Sequence, residues 1–353
     1  MKKSIIELYR PSIRRKDLEY VLTSLIEDRL DYGEFANRFE ARLSNRTGVK
    51  EVIAIDSFQL ALMMILDALN IGEGDEIILP SLIPQIFLSV ILHRKAVPVL
   101  IDLEENSFMP SLEGVRAAVT GRTKALILYY YFGYTFDPQP YIDLVPTVIQ
   151  DISSVLGAKV NDKNIASYGA YSIAEFSKRN IISNGESAAI FSQNRNYTTV
   201  LKKLIETDEL SDDYKPLYKS LMSDIKAAMG ISQDETLNHR MALCQKIGHI
   251  YEESVKRSNN YFITHDSSCE RIFSDFPVIL KNSGFKDAKE YFRKNGVKCD
   301  KPYPFPLHHV LKYDRAVFPN TEFIYLKTIL IPLYSSLQTN DVDLIAKILA
   351  SMF

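Results

Sequence analysis

Cysteine is scarce in this sequence, and its few positions are widely spaced. Cys244, Cys269 and Cys299 are the three cysteines among 353 residues, an odd number without a paired C-x-x-C spacing. This pattern argues against a disulfide framework and against a zinc site, so no metal is expected. A reducing compartment, the cytoplasm, fits it best.

A strong net charge and long apolar runs are also absent. Forty-two basic residues against 44 acidic ones leave a formal net charge of -2, so no overall field attracts nucleic acid or an anionic membrane. The first 20 residues become charged before an apolar core of signal-peptide length, and no later run reaches membrane-spanning length. We therefore expect a cytoplasmic protein without nucleic-acid or membrane partners, whose binding depends on a local site.

Short apolar segments alternate with helical patterns through the first half of the chain. Helical spacing over 16–41 is broken by Gly33 into two helices. The predicted strands that follow are 52–55, 76–79, 97–101, 125–131 and 147–149, and the helices between them are 60–69, 85–93 and 112–119. This order predicts an α/β fold around a mostly parallel sheet. Ligands of such sheets bind where strands end, which indicates the loops 56–59 and 151–154.

The pattern changes beyond residue 191. Long helices are predicted over 221–231 and 240–256, and strand signals return at 276–280 and 328–331 before a last helix over 341–352. We predict an N-terminal arm and large domain over 1–230 and a smaller α/β domain over 231–353.

Several strings occur in the order seen in one known family. "LNIGEGDEIILPS", "GRTKALILYYYFG", "MSDIKAAMGISQ", "YPFPLHHV" and "IPLYSSLQTNDVDLIAKIL" each resemble segments of the DegT/StrS-type sugar-nucleotide aminotransferases. The resemblance implies the fold of pyridoxal phosphate (PLP) enzymes of fold type I, a homodimer, PLP as cofactor and a nucleotide-sugar ligand from surface polysaccharide metabolism. Fold alone does not establish function, which depends on the site.

The resemblance also assigns candidate cofactor-binding residues. Asp151, in "IQDISSVLGA", takes the place of the carboxylate that holds the pyridine nitrogen, and Ser154 that of a ring-contacting glutamine or histidine. Ser57 and Gln59 fall in the phosphate-binding turn, and Lys219 falls where the partner subunit reaches into the site.

Other positions depart from the family pattern. Phe58 replaces a glycine of the phosphate turn, Asp56 adds a negative charge there, and Pro84 stands where an aromatic residue stacks on the cofactor. His308 and His309 lie on a proline-rich loop, where histidines are mostly structural.

The Schiff-base lysine is the largest departure. Aligned on the G-E pair at 185–186, the family pattern S-F-x-x-x-K places Asn180 at the lysine position and Glu175 at that of a phosphate-contacting serine. Lys178, two residues earlier, reaches the site only if the loop is rearranged. The alternative interpretation of Lys178 and Arg179 is a solvated pair on a turn.

Three functional hypotheses follow from these residues. In the first, the chain keeps the scaffold and the dimer but does not transaminate, and serves as a binding or partner subunit or performs another reaction. In the second, it is an active PLP transaminase of a nucleotide-linked keto sugar that uses Lys178. The third is PLP-dependent dehydration without the lysine, which Phe58 and Glu175 disfavour. The first is the one we predict.

Overall fold

The computed structural model describes residues 5–205, 218, 220–265 and 268–352. As far as residue 151, α-helices and β-strands alternate as predicted, whereas the strands between residues 159 and 192 were not predicted and have no α-helix between them. The strands are β1 (Glu51–Ile55), β2 (Glu76–Pro80), β3 (Val97–Ile101), β4 (Thr123–Tyr129), β5 (Val148–Asp151), β6 (Lys159–Val160), β7 (Lys163–Asn164), β8 (Tyr171–Phe176), β9 (Ser187–Ser192), β10 (Phe276–Ile279) and β11 (Thr328–Ile331). The helices are α1 (Arg15–Ile26), α2 (Glu34–Thr47), α3 (Phe58–Ala68), α4 (Gln85–His93), α5 (Leu112–Ala118), α6 (Gln139–Ile142), α7 (Arg195–Ile205), α8 (Asp224–Asp234), α9 (Leu237–Val255), α10 (Phe285–Lys294), α11 (Leu307–Val310), α12 (Pro319–Lys327) and α13 (Thr339–Ser351).

One large sheet organises the described residues. Its strand order is β1-β9-β8-β5-β4-β2-β3. The run from β8 to β3 is parallel, whereas β9 pairs antiparallel with both β8 and β1. The predicted α/β class with a mostly parallel sheet is confirmed.

Both faces of the sheet are buried, which explains why its strands are apolar along their whole length. Successive residues of β4 point to opposite faces: Ile127 packs in the core with α3 and α4, and Leu126 and Leu128 pack in the core with α2 and α8. Because side chains alternate between the two faces of a strand, a continuous apolar segment such as this one contributes to the core on each side of the sheet.

The region after α8 has its own core. β10 and β11 form an antiparallel pair, and α9 packs against α13. Tyr251, Phe276 and Ile329 lie in this core. The predicted boundary at residues 230 and 231 falls inside α8, which packs on α1 and α2. The division into 1–230 and 231–353 stays a prediction.

Helix α8 begins later than its apolar sequence suggests. Leu221 forms a bridge with Ile55, and the amide of Met222 donates to the carbonyl of Ala54 at 3.0 Å. These residues therefore extend along β1, and the helix starts at Asp224 instead of residue 221.

Helix α1 has an inverted polarity. Its buried residues are Asp17 and Ser24, and Asp17 accepts hydrogen bonds from Arg14 and Ser232. Its exposed face carries the apolar side chains of Leu18, Leu22, Leu25 and Ile26. A helix that turns its apolar stripe to solvent is typical of an interface.

Candidate functional site

A cleft of about 290 Å³ lies where β4, β5 and β8 end. Its walls include Tyr129 at the end of β4, Asp151 at the end of β5 and the turn that follows β8. Sequence-distant residues close it, among them Phe58, Asp275 and Tyr303. The position agrees with the rule that parallel sheets place their sites at strand carboxyl ends.

Asp151 is the buried acid of this cleft. Its Oδ1 accepts hydrogen bonds from the Ser153 amide at 2.9 Å and from Ser153 Oγ at 2.5 Å. Burial, aided by the nearby Glu175 carboxylate, raises the pKa of Asp151 to about 7. The side chain therefore changes its charge near neutral pH.

Asn180 lies beside Asp151 in the same cleft. Its Oδ1 lies 2.8 Å from Ser177 Oγ and 3.2 Å from the Ser177 amide nitrogen, and its Nδ2 donates to the Ser153 carbonyl at 3.2 Å. Hydrogen bonds on both ends of the amide hold this side chain in one orientation.

Lys178 and Arg179 differ in their surroundings, although both line the cleft. Lys178 is exposed, as the interpretation of a solvated pair requires. Arg179 is not solvated in this way: its Nη2 donates to Tyr9 Oη at 3.1 Å, and its guanidinium lies 5.0 Å from the centre of the Tyr9 ring. The interpretation is therefore wrong for Arg179, because the N-terminal arm covers it.

Glu175 is the second acid of the cleft near Asp151. Its amide donates to Ser153 Oγ at 2.8 Å, and its Oε2 lies 3.2 Å from Ser177 Oγ. Burial raises the pKa of Glu175 above its usual value.

The start of α3 presents a ring to the cleft. Phe58 lines it and packs edge-to-face on Phe87, with 5.7 Å between ring centroids. Ser57 is half-buried without a side-chain cap hydrogen bond, and Gln59 is exposed. Neither Ser57 nor Gln59 is among the residues that line the cleft. Lys219 lies outside the described residues.

The negative charge of Asp56 has a counter-charge that the sequence analysis missed. Lys226 Nζ lies 2.7 Å from Asp56 Oδ1 and donates to the Asp56 carbonyl at 3.2 Å. This lysine lies in the recognised "MSDIKAAMG" string, but only the packing of α8 beside β1 brings it to Asp56.

Aromatic residues line the cleft, but from places other than position 84. Tyr129 and Tyr303 approach each other with 3.0 Å between their hydroxyl oxygens, and Phe132 stacks on Tyr303. The tyrosine-rich strings "LYYYFG" and "YPFP" carried the signal for these residues.

Comparison with known proteins identifies the scaffold. A model of the DegT/DnrJ/EryC1/StrS aminotransferase family matches residues 11–350. The chain belongs to this family. It is 23% identical to the GDP-perosamine synthase of Vibrio cholerae over 381 residues, covering 99% of each chain. Among solved structures it resembles the putative sugar aminotransferase Spr1654 from Streptococcus pneumoniae in its PMP form, with a TM-score of 0.92, 20% identity and coverage of 98% and 97%. The aminotransferase TlmJ from Streptoalloteichus hindustanus matches with a TM-score of 0.90, 20% identity and 98% coverage of each chain.

Family membership confirms the predicted PLP fold type I architecture. The roles assigned to Asp151, Ser154, Asn180 and Lys178 stay predictions, although the structure brings all four to one cleft. Ser154 uses its hydroxyl on the backbone there: Oγ donates to the Tyr130 carbonyl at 2.6 Å.

Acidic groups outnumber basic ones in the cleft of this family member. The carboxyl and cationic side chains that line it are Asp151, Glu175, Glu186, Asp275, Lys178 and Arg179. Four carboxyl groups therefore share the cleft with two cationic side chains, and Arg179 already contacts Tyr9.

None of the helices in the described part of the chain combines the length and apolarity needed to cross a membrane. All three cysteines are buried.

Proposed function

We propose that this chain is a non-transaminating member of the sugar aminotransferase family, whose cleft binds a nucleotide-linked sugar. The observation that carries the proposal is Asn180. Its side-chain amide lines the same cleft as Asp151 and is held by Ser153 and Ser177, and the family sequence pattern assigns this position to the Schiff-base lysine. An amide nitrogen is not a nucleophile toward an aldehyde, so it cannot attach PLP covalently.

The cleft fits PLP at one end only. Asp151 is a carboxylate of the type that holds a pyridine nitrogen protonated. The residues expected around the phosphate do not fit a dianion. Phe58 fills the space of a glycine, and the carboxyl group of Glu175 lines the same cleft. An anion bound near Glu175 would be repelled by its ionised form.

One observation favours a second candidate, an active transaminase. Lys178 also lines the cleft, and its exposed side chain has freedom to turn. Two sets of contacts that fix the turn carrying Lys178 count against this candidate. The backbone N–H of Asn180 donates to the Ser177 carbonyl at 3.0 Å, and Arg179 contacts Tyr9. A shift of this turn that carried Lys178 further into the cleft would break these contacts.

The ligand class and the assembly rest on the family and on α1. The relatives named GDP-perosamine synthase make a nucleotide-linked sugar the first ligand class to test. The apolar face of α1 supports a homodimer, because a second copy would cover Leu18, Leu22 and Ile26. A cytoplasmic location agrees with the small number of cysteines and with the burial of all three.

Borohydride trapping tests the missing Schiff base. The full chain is incubated with excess PLP, reduced and analysed by peptide mass spectrometry. We expect a pyridoxyl adduct on Lys178 no greater than that on Lys124, an exposed lysine on the strand β4 that reports non-specific labelling. A stoichiometric adduct on Lys178 that disappears in Lys178→Arg would overturn the proposal in favour of the second candidate.

Calorimetric titration tests the ligand class. GDP-linked and UDP-linked hexoses are titrated into the untreated protein, and we expect saturable binding of at least one. Binding should weaken in Tyr303→Ala, which removes a ring of the cleft wall and leaves the Asn180 network intact. If neither compound binds at millimolar concentration, the proposed ligand class is wrong.

A further inference from the structure

Two histidines and a glutamate converge at a point away from the cleft. His308 and His309 lie on α11, Glu322 lies on α12, and none of the three lines the cleft. The Nε2 atoms of both imidazoles contact the same oxygen, Glu322 Oε1, with 2.8 Å for His308. Within the described ranges the three potential ligand atoms all lie within 4.8 Å of one another.

The convergence of two consecutive side chains is unusual. Neighbouring residues on a helix point about 100° apart, and i,i+1 pairs do not normally face each other. Here the two rings meet edge-to-face with 4.6 Å between centroids, and both point toward Glu322. The convergence brings two imidazole nitrogens and a carboxylate oxygen, three potential metal ligands, to one point.

Surrounding contacts hold His308 in place. Its Nδ1 lies 2.6 Å from Ser81 Oγ, and its ring stacks on Phe318 at 4.5 Å and 14°. With Nδ1–H donating to Ser81, the lone pair of Nε2 faces Glu322, where either a metal ion or a proton can lie between the two atoms. A hydrogen bond to the second ring nitrogen is how proteins orient a metal-binding histidine.

Helix α12 is positioned by a separate set of contacts. The amides of Asn320 and Thr321 donate to the Asp102 carboxylate at 3.0 and 2.7 Å. This fixes the turn of α12 that carries Glu322, so the carboxylate does not depend on the histidines for its place.

Burial completes the site. The His308 side chain is 0% exposed, His309 is 11% exposed and Glu322 is 14% exposed. His308 is therefore enclosed by protein, whereas His309 and Glu322 lie at the edge of the site, where solvent reaches them.

We propose that His308, His309 and Glu322 bind a single divalent transition-metal ion of the zinc class. Two imidazoles and one carboxylate with an open position are a ligand set that Zn²⁺ favours. The ion would join α11 to α12 and, through Ser81, to the end of β2. The proposal does not depend on what occupies the cleft.

Metal titration of the chelator-treated full chain tests this site. We expect one equivalent of Zn²⁺ by calorimetry and elemental analysis, a higher melting temperature with Zn²⁺, and visible absorption from bound Co²⁺. His309→Gln should abolish stoichiometric binding, and Ser81→Ala should weaken it by about 10- to 100-fold. The matched control is His249→Gln. His249 pairs with Glu252 at 3.0 Å, and no third potential ligand joins them among the residues that the structure describes, so this variant should bind like the wild type.

Two results would overturn the proposal. One is a wild-type chain that takes up no metal and shows no Co²⁺ absorption, which would leave the cluster as a hydrogen-bond network. The other is a folded His309→Gln variant with the wild-type stoichiometry. If His309→Gln does not fold, the wild-type Co²⁺ spectrum decides, because Co²⁺ held by protein nitrogen and oxygen ligands absorbs more strongly than hydrated Co²⁺.

Discussion

Replacing Asp151 by asparagine should stabilise the protein, and more so at high pH. The pKa of this carboxyl group is raised from 3.8 to about 7 by burial. A raised pKa means that the folded state binds the proton more tightly, so this stability is present below the unfolded pKa and is lost as pH rises through the folded one. A shift of about three units at 1.36 kcal/mol each gives a penalty of up to about 4 kcal/mol above pH 7.

Asp151→Asn removes this penalty and keeps the local hydrogen bonds. The amide oxygen can still accept from the Ser153 amide and hydroxyl, which both use Oδ1 in the wild type. Because an unfolded aspartate is already mostly ionised at about pH 5, part of the penalty is present there. We expect the advantage of the variant to grow by about 2 to 3 kcal/mol between about pH 5 and about pH 8.

Urea denaturation of both proteins at the two pH values measures the effect. Asp343→Asn, at an exposed position on α13, is the control for loss of one negative charge and should show no such growth. An advantage of Asp151→Asn that is the same at both pH values would refute the reasoning. It would mean that a cation, such as a bound pyridinium, keeps Asp151 ionised throughout.

Three further substitutions test the packing. Leu22→Asp, on the exposed apolar face of α1, should convert a dimer to a monomer in light scattering at micromolar concentration; a wild type already monomeric would contradict the proposed dimer. Gly133→Ala should lower the free energy of unfolding, measured by urea denaturation, by about 3 kcal/mol or more, because φ is +81° and a Cβ would lie 1.5 Å from the Ile272 carbonyl oxygen. Its control is Gly121→Ala, which has open space around it and should change the free energy of unfolding by less than about 0.5 kcal/mol. Phe58→Ala should lower the free energy of unfolding by about 3 kcal/mol, because it removes a buried ring that packs on Phe87. An unchanged urea denaturation midpoint would show that the ring is not packed.

Much of the sheet could be predicted from local sequence, although β8 and β9 were missed. Strands such as β3 are short apolar runs bounded by turn residues, and the helix predicted at 85–93 matches α4. Asp151 and Asn180 could be assigned to the cleft only through the family resemblance. Asp151 follows a strand as the family carboxylate does, and Asn180 falls at the lysine of the family pattern when the G-E pair is aligned.

The rest of the cleft depends on contacts between distant parts of the chain. Arg179 meets Tyr9 across 170 residues, and Lys226 meets the Asp56 carbonyl across the same separation. Neither contact leaves a periodic or spaced pattern in the sequence. The convergence of His308 and His309 on Glu322 was also missed, because consecutive helical residues are expected to diverge.

The cleft wall is assembled from pieces that are far apart along the chain, and this has a consequence for unfolding. The turn with Asn180, the loop with Asp275 and the segment with Tyr303 meet there, and Arg179 ties the N-terminal arm to them through Tyr9. A ligand that binds only this arrangement would act as a non-covalent cross-link among these segments. Its affinity would appear as simultaneous protection of their amides from hydrogen exchange, and their separate local openings would merge into one cooperative event.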